Sequence, residues 1–321
     1  MSVISNRTQE LTASVSRRIW PYLFISPWII GFLVFTLGPL LLSFAISFFD
    51  WGITGSPVFR GLGNYSEMLF NDVQFWNALC ITLKYAAIFV PLNLIIALFL
   101  AVLIAMPVKG VRFFRTLFYI PCVISGVAVS IIFGWILNGN YGVLNYLLSF
   151  LGIKGPQWLV DPKWALLAVI IASAFGVGSM MLIFYTDIKN IPIELYEAAA
   201  IDGAGMTRQF FNVTLPMITP TLLFNLVTSI ITSFQQVTLV MLLTNGGPLK
   251  STYFYGLMTY ENAFKFHRLG YASANAWVMF IIVLLLTALV FRSSSAWVFY
   301  ETEGRNAAKN IKKFGRKKVV L

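Results

Sequence analysis

Glu194, Glu197 and Asp202 stand close together in a segment otherwise built of small residues, among them Ala198, Ala199, Ala200, Gly203, Ala204 and Gly205. Exposed carboxylates set among such residues suit docking. Each accepts charge-assisted hydrogen bonds, worth about 1.5–3 kcal/mol when shielded, while the missing side chains let a partner approach the backbone. A second set is uncharged. Asn225, Ser229, Thr232, Ser233 and Gln236 recur at spacings that place them on one stripe of a 3.6-residue helix. Such a stripe faces either a neighbouring helix, as interhelical hydrogen bonding, or a wet passage for a hydroxyl-rich solute; the passage is the reading preferred here. Bond-making chemistry finds no such set. His267 is the single histidine, and Cys80 and Cys122 lie far apart in apolar surroundings, read as buried free thiols. No G-x-x-x-x-G-K-[ST] phosphate loop occurs, so nucleotide chemistry would have to come from another chain.

The elements that must position these residues are membrane spans. The chain is 58% hydrophobic and 11% charged, with a mean hydropathy of +0.79. Soluble domains carry about 25% charged residues. Six apolar runs, 22–49, 75–106, 117–137, 164–185, 217–243 and 271–297, each meet the requirement of about 20 residues for a crossing. The expected fold class is an all-α polytopic membrane protein. It has six transmembrane helices, with a short helix between the fourth and fifth. Residues 1–21 form an N-terminal tail, 22–299 the membrane domain with the carboxylate segment at 190–216, and 300–321 a basic tail. No small-residue cleavage site follows the first run, which is read as a retained helix.

The net charge of +11 does not point to nucleic acid, because its distribution follows the membrane. Arg7, Arg17, Arg18, Lys109, Arg112, Arg115, Lys189, Arg208 and the basic C-terminal residues fall on one side. Only Arg60, Lys154, Lys163, Lys250, Lys265 and Arg268 fall on the other. Both termini and the Glu197 segment are therefore expected in the cytoplasm. The tail from Arg305 to Lys318 suits anionic lipid headgroups. Lys84, near the outer end of the second run, either snorkels to the interface or meets an anionic substrate. None of the 12 carboxylates lies in a predicted membrane core, which argues against ion-coupled transport. A stand-alone facilitator or ion-coupled carrier is the alternative class, and a membrane-anchored enzyme a third.

With these residues in view, the segment at 194–220 resembles the "EAA" signature of membrane subunits of binding-protein-dependent ABC importers. Its Glu197-Ala-Ala, Asp202-Gly203-Ala204, Phe210, Leu215-Pro216 and Pro220 carry the likeness, with Val213 where isoleucine is commoner. Other stretches resemble carbohydrate permeases of the maltose and glycerol-phosphate type, first-permease form. They are Gly61-Leu-Gly-Asn-Tyr65, Phe75-Trp76, Arg112-Phe-Phe-Arg115, Gly142-Val-Leu-Asn145, Thr244-Asn-Gly-Gly-Pro248 and Gly270-Tyr-Ala-Ser273.

The resemblance implies a permease subunit in the bacterial inner membrane that moves a sugar or oligosaccharide, neutral or acidic, inward by alternating access. It implies a second homologous permease, two ATPase subunits and an extracytoplasmic solute-binding protein as partners. ATP and Mg would be held by the ATPase and no cofactor by this chain. Glu194, Glu197, Ala198, Ala199, Asp202, Gly203 and Ala204 would couple to the ATPase. Phe175, Gly176, Ser179, Asn225, Ser229, Thr232, Ser233 and Gln236 would meet substrate, Phe175 by stacking on a sugar face.

Overall fold

The computed structural model describes Trp20 and residues 22–52, 55–106 and 110–299. The tails expected at 1–21 (Trp20 apart) and 300–321 lie outside the described residues, as does Lys109. Helices α1 (Tyr22–Ile46), α2 (Val73–Ala105) and α13 (Leu269–Ser294) are unbroken and long and apolar enough to cross a membrane. Three further crossings are bent pairs. They are α3 (Val111–Val123) with α4 (Gly126–Ile136), α6 (Pro162–Ala174) with α7 (Gly178–Asn190), and α9 (Met206–Met217) with α10 (Thr219–Phe234). Shorter helices complete the chain: α5 (Val143–Phe150), α8 (Ile193–Ile201), α11 (Thr238–Leu243) and α12 (Tyr255–Tyr260). The one sheet among the described residues is the antiparallel pair β1 (Phe49–Asp50) and β2 (Val58–Phe59). An all-α polytopic protein is what the composition requires and what forms.

The bends correct the picture of six simple runs. The third breaks by 102°, the fourth by 50°, and the fifth by 67° at its start and again after Phe234. In the third, Pro121 lies near the end of α3, Ile124 and Ser125 are extended, and the Ser125 hydroxyl caps α4 by accepting from the Ala128 amide at 3.4 Å. In the fourth, Phe175, Gly176 and Val177 bond back three residues instead of four, a tightened turn that ends α6. Asp72 and Asp161 cap α2 and α6 through the amides of Gln74 and Lys163 at 2.8 and 2.9 Å.

The described residues fall into two compact units, one within Met1–Met68 and Asn262–Trp277, the other within Leu69–Glu261 and Val278–Leu321. In the first, Asn64 is buried and its amide donates to the carbonyls of Ser47 and Phe49 at 2.8 and 2.9 Å. The Tyr65 and Ser47 hydroxyls bond at 2.7 Å. The Asn-Tyr pair of the Gly61–Tyr65 motif thus closes a hairpin. Glu67 accepts from Arg60 at 2.9 Å and Arg268 at 2.6 Å. Burial of Glu67 alone would raise its pKa, but the hydrogen bonds and charges of Arg268 and Arg60 outweigh that and hold it below 4.5.

In the second unit α2 packs against α7 and α10, α3 against α7, and α4 against α11. Lipid tails are as apolar as a side chain, so helices here gain from close contact more than from leaving water. Small residues accordingly line the buried faces: Ala78, Ala86, Ala97 and Ala101 on α2, and Ala165, Ala168 and Ala172 on α6. Both cysteines are free, but neither is buried as expected: Cys80 is exposed and Cys122 half-buried.

Candidate functional site

Helix α8 begins at Ile193, with Pro192 in an extended conformation before it, and places Glu194 in its first turn. A carboxylate there complements the helix dipole. The helix stops at a left-handed Gly203 with φ +75°. The Gly203 amide donates to the Ala200 carbonyl at 3.0 Å and the Ala204 amide to Ala199 at 2.9 Å, the paired bonds of a Schellman ending. Glycine adopts that φ at the least cost, so the Asp202-Gly203 dipeptide fixes where the chain turns.

No residue of α8 is buried. Glu194, Glu197, Ala198, Asp202 and Gly203 are exposed, with Ala199 and Ala204 half-buried. Ile193, Leu195, Ile201 and Met206 are also exposed, Ile201 at 87%. Among the described residues, neither Glu194 nor Glu197 is ion-paired. The element is nevertheless held firmly. The Tyr196 hydroxyl bonds Thr214 Oγ1 at 2.9 Å, and the Gln209 amide donates to the Ala204 carbonyl at 3.0 Å. Only Ile191 and Pro192 separate α8 from α7. The last turn of α7 is tied to the end of α2 by Lys189 Nζ donating to the Ala105 carbonyl at 2.8 Å. The result is an uncovered knob with three exposed carboxylates and an apolar patch.

The polar stripe is divided by the fold. Asn225, Ser229 and Ser233, on one face of α10, are buried, whereas Thr232 is exposed. Gln236 is not on the helix: α10 ends at Phe234, and Gln236 sits half-buried in the break before α11. Ser233 Oγ donates to the Ser229 carbonyl at 2.8 Å. Asn225 Nδ2 and Ser229 Oγ are buried without a hydrogen-bond partner. An orphaned buried donor costs about 1–3 kcal/mol. The remaining candidates gather at the α6–α7 break. Gly176 and Ser179 are exposed, and Phe175 is 37% exposed with its ring edge-on to Phe133 at 5.3 Å. Because α7 and α10 pack together, the two groups lie on adjacent helices.

Thr228 was missed by the sequence reading. It precedes Thr232 by one turn and is exposed like it, a spacing legible in the sequence. No signal singled out Cys122 as a contact of the break. Among the described residues no group of three His, Cys, Asp or Glu side chains is placed to hold a metal.

Residues 94–298 match the family described as binding-protein-dependent transport system inner membrane component. The chain belongs to that family. The match spans the α6–α7 break, α8 and the α10 stripe together. The chain is 44% identical over 286 residues to the probable ABC transporter permease protein YesP of Bacillus subtilis (strain 168), covering 88% of this chain and 92% of that one. It is 36% identical over 249 residues to the sulfoquinovosyl glycerol transport system permease protein SmoG of Agrobacterium fabrum, covering 77% and 80%. Its fold is shared with a chain of a bacterial alginate ABC transporter, solved in complex with an alginate pentasaccharide-bound periplasmic protein. The TM-score is 0.76 at 23% identity, with 88% of this chain and 96% of that chain covered. The family member is thus a multi-pass inner-membrane component of a transport system.

Proposed function

We propose that this chain is the permease subunit of an ATP-driven importer for a sugar or oligosaccharide, neutral or acidic. Both termini and α8 lie in the cytoplasm. The observation that carries the reading is α8, a capped helix with no buried residue, set at the end of a span that also holds candidate substrate residues. An ATPase subunit covers this knob, with cationic groups meeting Glu194 and Glu197 and an apolar cleft receiving Ile201 and Met206. ATP and Mg are bound by that partner. Closure of two ATPase subunits pulls α8, and α7 acts as its lever to turn the passage from outward-facing to inward-facing. The passage is completed by a second, homologous permease and loaded by an extracytoplasmic solute-binding protein.

Support for a saccharide comes from the relatives and from the residues. SmoG is named for a sulfoquinovosyl glycerol transport system, and the alginate transporter imports an acidic polysaccharide. A hydroxyl at the exposed Ser179 and Thr232 and an amide at the half-buried Gln236 can satisfy sugar oxygens, and the exposed Phe175 can stack on a sugar face. The test is isolation of the assembled complex from the native membrane, followed by reconstitution. Co-isolation of an ATPase and ATP-dependent uptake are expected; uptake of sugar by the lone chain would support a facilitator and sink this reading.

A further inference from the structure

A span that breaks inside a membrane frees backbone groups at both sides of the break, and hydrocarbon offers them no partner. The α6–α7 break is such a place. The helix-start residue Val177 supplies no side-chain cap, so the first amides of α7 need an acceptor from elsewhere. They find one on the third span. Cys122 Sγ accepts from the Ser179 amide at 3.1 Å, and the same thiol donates to the Gly176 carbonyl at 3.3 Å. One side chain from α3 thus caps the start of α7 and satisfies the turn that ends α6. The backbones are also in unusually close approach. A Cβ added at Gly178 would overlap the Phe118 carbonyl and come within 3.0 Å of Tyr119 Cα. Cys122 itself lies two residues before the 102° bend that separates α3 from α4. Two breaks in different spans therefore meet at one thiol.

We infer that Cys122 is a positioning residue of the transport cycle, pinning the break of the fourth span to that of the third. Movement entering at α8 travels up α7; unpinned, it would be absorbed at Phe175–Val177. Pinned, it is delivered to α3 and, through the bend, to α4 and the Phe133 edge against which Phe175 rests. The inference rests on the coupling role proposed for α8. It differs from space filling, because a pin needs a donor and an acceptor on the same atom. Serine supplies both; alanine supplies neither, and valine fills the volume with neither.

The test uses the complete transporter, with ATPase and solute-binding protein, in proteoliposomes. It measures sugar delivered per ATP hydrolysed and the ATPase retained in the complex. Cys122→Ser is expected within about twofold of wild type in transport per ATP. Cys122→Ala and Cys122→Val are expected to retain the ATPase but to deliver about tenfold less sugar per ATP, with apparent KM moving less than twofold. If Cys122→Ala does not assemble, Cys122→Val decides in its place, since it keeps the packing. A wild-type transport ratio in the valine variant, or a loss in the serine variant as large as in valine, overturns the pin. An assembled wild-type complex without an ATPase would instead sink the coupling reading beneath it, so the two failures are told apart.

Discussion

Gly203 offers the sharpest test of the coupling element, because its two possible roles separate cleanly. Its φ is +75°, and nothing lies within 4 Å of where a Cβ would stand. Within this chain, then, a side chain at position 203 costs only the left-handed backbone, about 1–2 kcal/mol. At 1.4 kcal/mol per tenfold, that lowers the fraction of correctly terminated α8 by roughly 5- to 30-fold relative to the wild-type ratio. Asparagine tolerates this conformation much better than alanine, and a β-branched residue worse. If the turn alone matters, uptake and ATPase retention should fall in the order Gly203→Asn, Gly203→Ala, Gly203→Val, with asparagine near wild type. If a partner also presses against the bare Cα, asparagine will lose far more than its backbone cost and fall with valine. Uptake of radiolabelled sugar by membranes of each variant, with the ATPase quantified after solubilisation, reads both quantities. Wild-type uptake by Gly203→Val would refute the argument, since neither the turn nor the approach could then be required.

Asn225→Leu removes a buried donor that lacks a partner, so thermal stability is expected to hold or rise by about 1 kcal/mol while sugar uptake falls about tenfold; unchanged uptake would assign the stripe to packing. Phe175→Ala is expected to raise the KM for uptake about fivefold, the equivalent of about 1 kcal/mol of aromatic contact, and Phe175→Trp to restore it. For Glu67 the sign follows from its lowered pKa. The stabilisation it contributes is present above 4.5 and lost as pH falls below 4.5 through the depressed folded value, so melts between pH 3 and 6 should show an acid-side drop that Glu67→Gln flattens. With both arginines partly exposed, that drop is small and shrinks further at high salt.

Much of this was legible in a single chain of letters. Hydrophobic length is a local property, so the six apolar runs and the all-α class follow from composition alone. The stop of α8 is local too: Asp202-Gly203 ends a helix whatever surrounds it, and the observed Schellman bonds fall there. The Glu197-Ala-Ala and Asp202-Gly-Ala pattern likewise pointed to the family without any coordinates.

What the letters left open is where neighbours decide. Pro91 lies inside α2, which runs unbroken from Val73 to Ala105, whereas Pro121 lies just ahead of a 102° bend. The same residue type gives opposite outcomes. A proline only frees a carbonyl and removes a donor, and packing determines whether the gap is tolerated in line or opened into a bend. The stripe on α10 shows the same division. Its spacing was readable, but packing buries Asn225, Ser229 and Ser233, the helix ends before Gln236, and Thr232 turns outward. Cys122 carried no local signal at all: its two bonds reach residues more than fifty positions away in sequence. Sequence determined which segments are apolar enough to enter the membrane and where α8 stops, since those depend on transfer energy and local backbone preference. Tertiary structure alone decided where the spans bend and which polar groups are left without partners, because both depend on atoms brought together from distant parts of the chain.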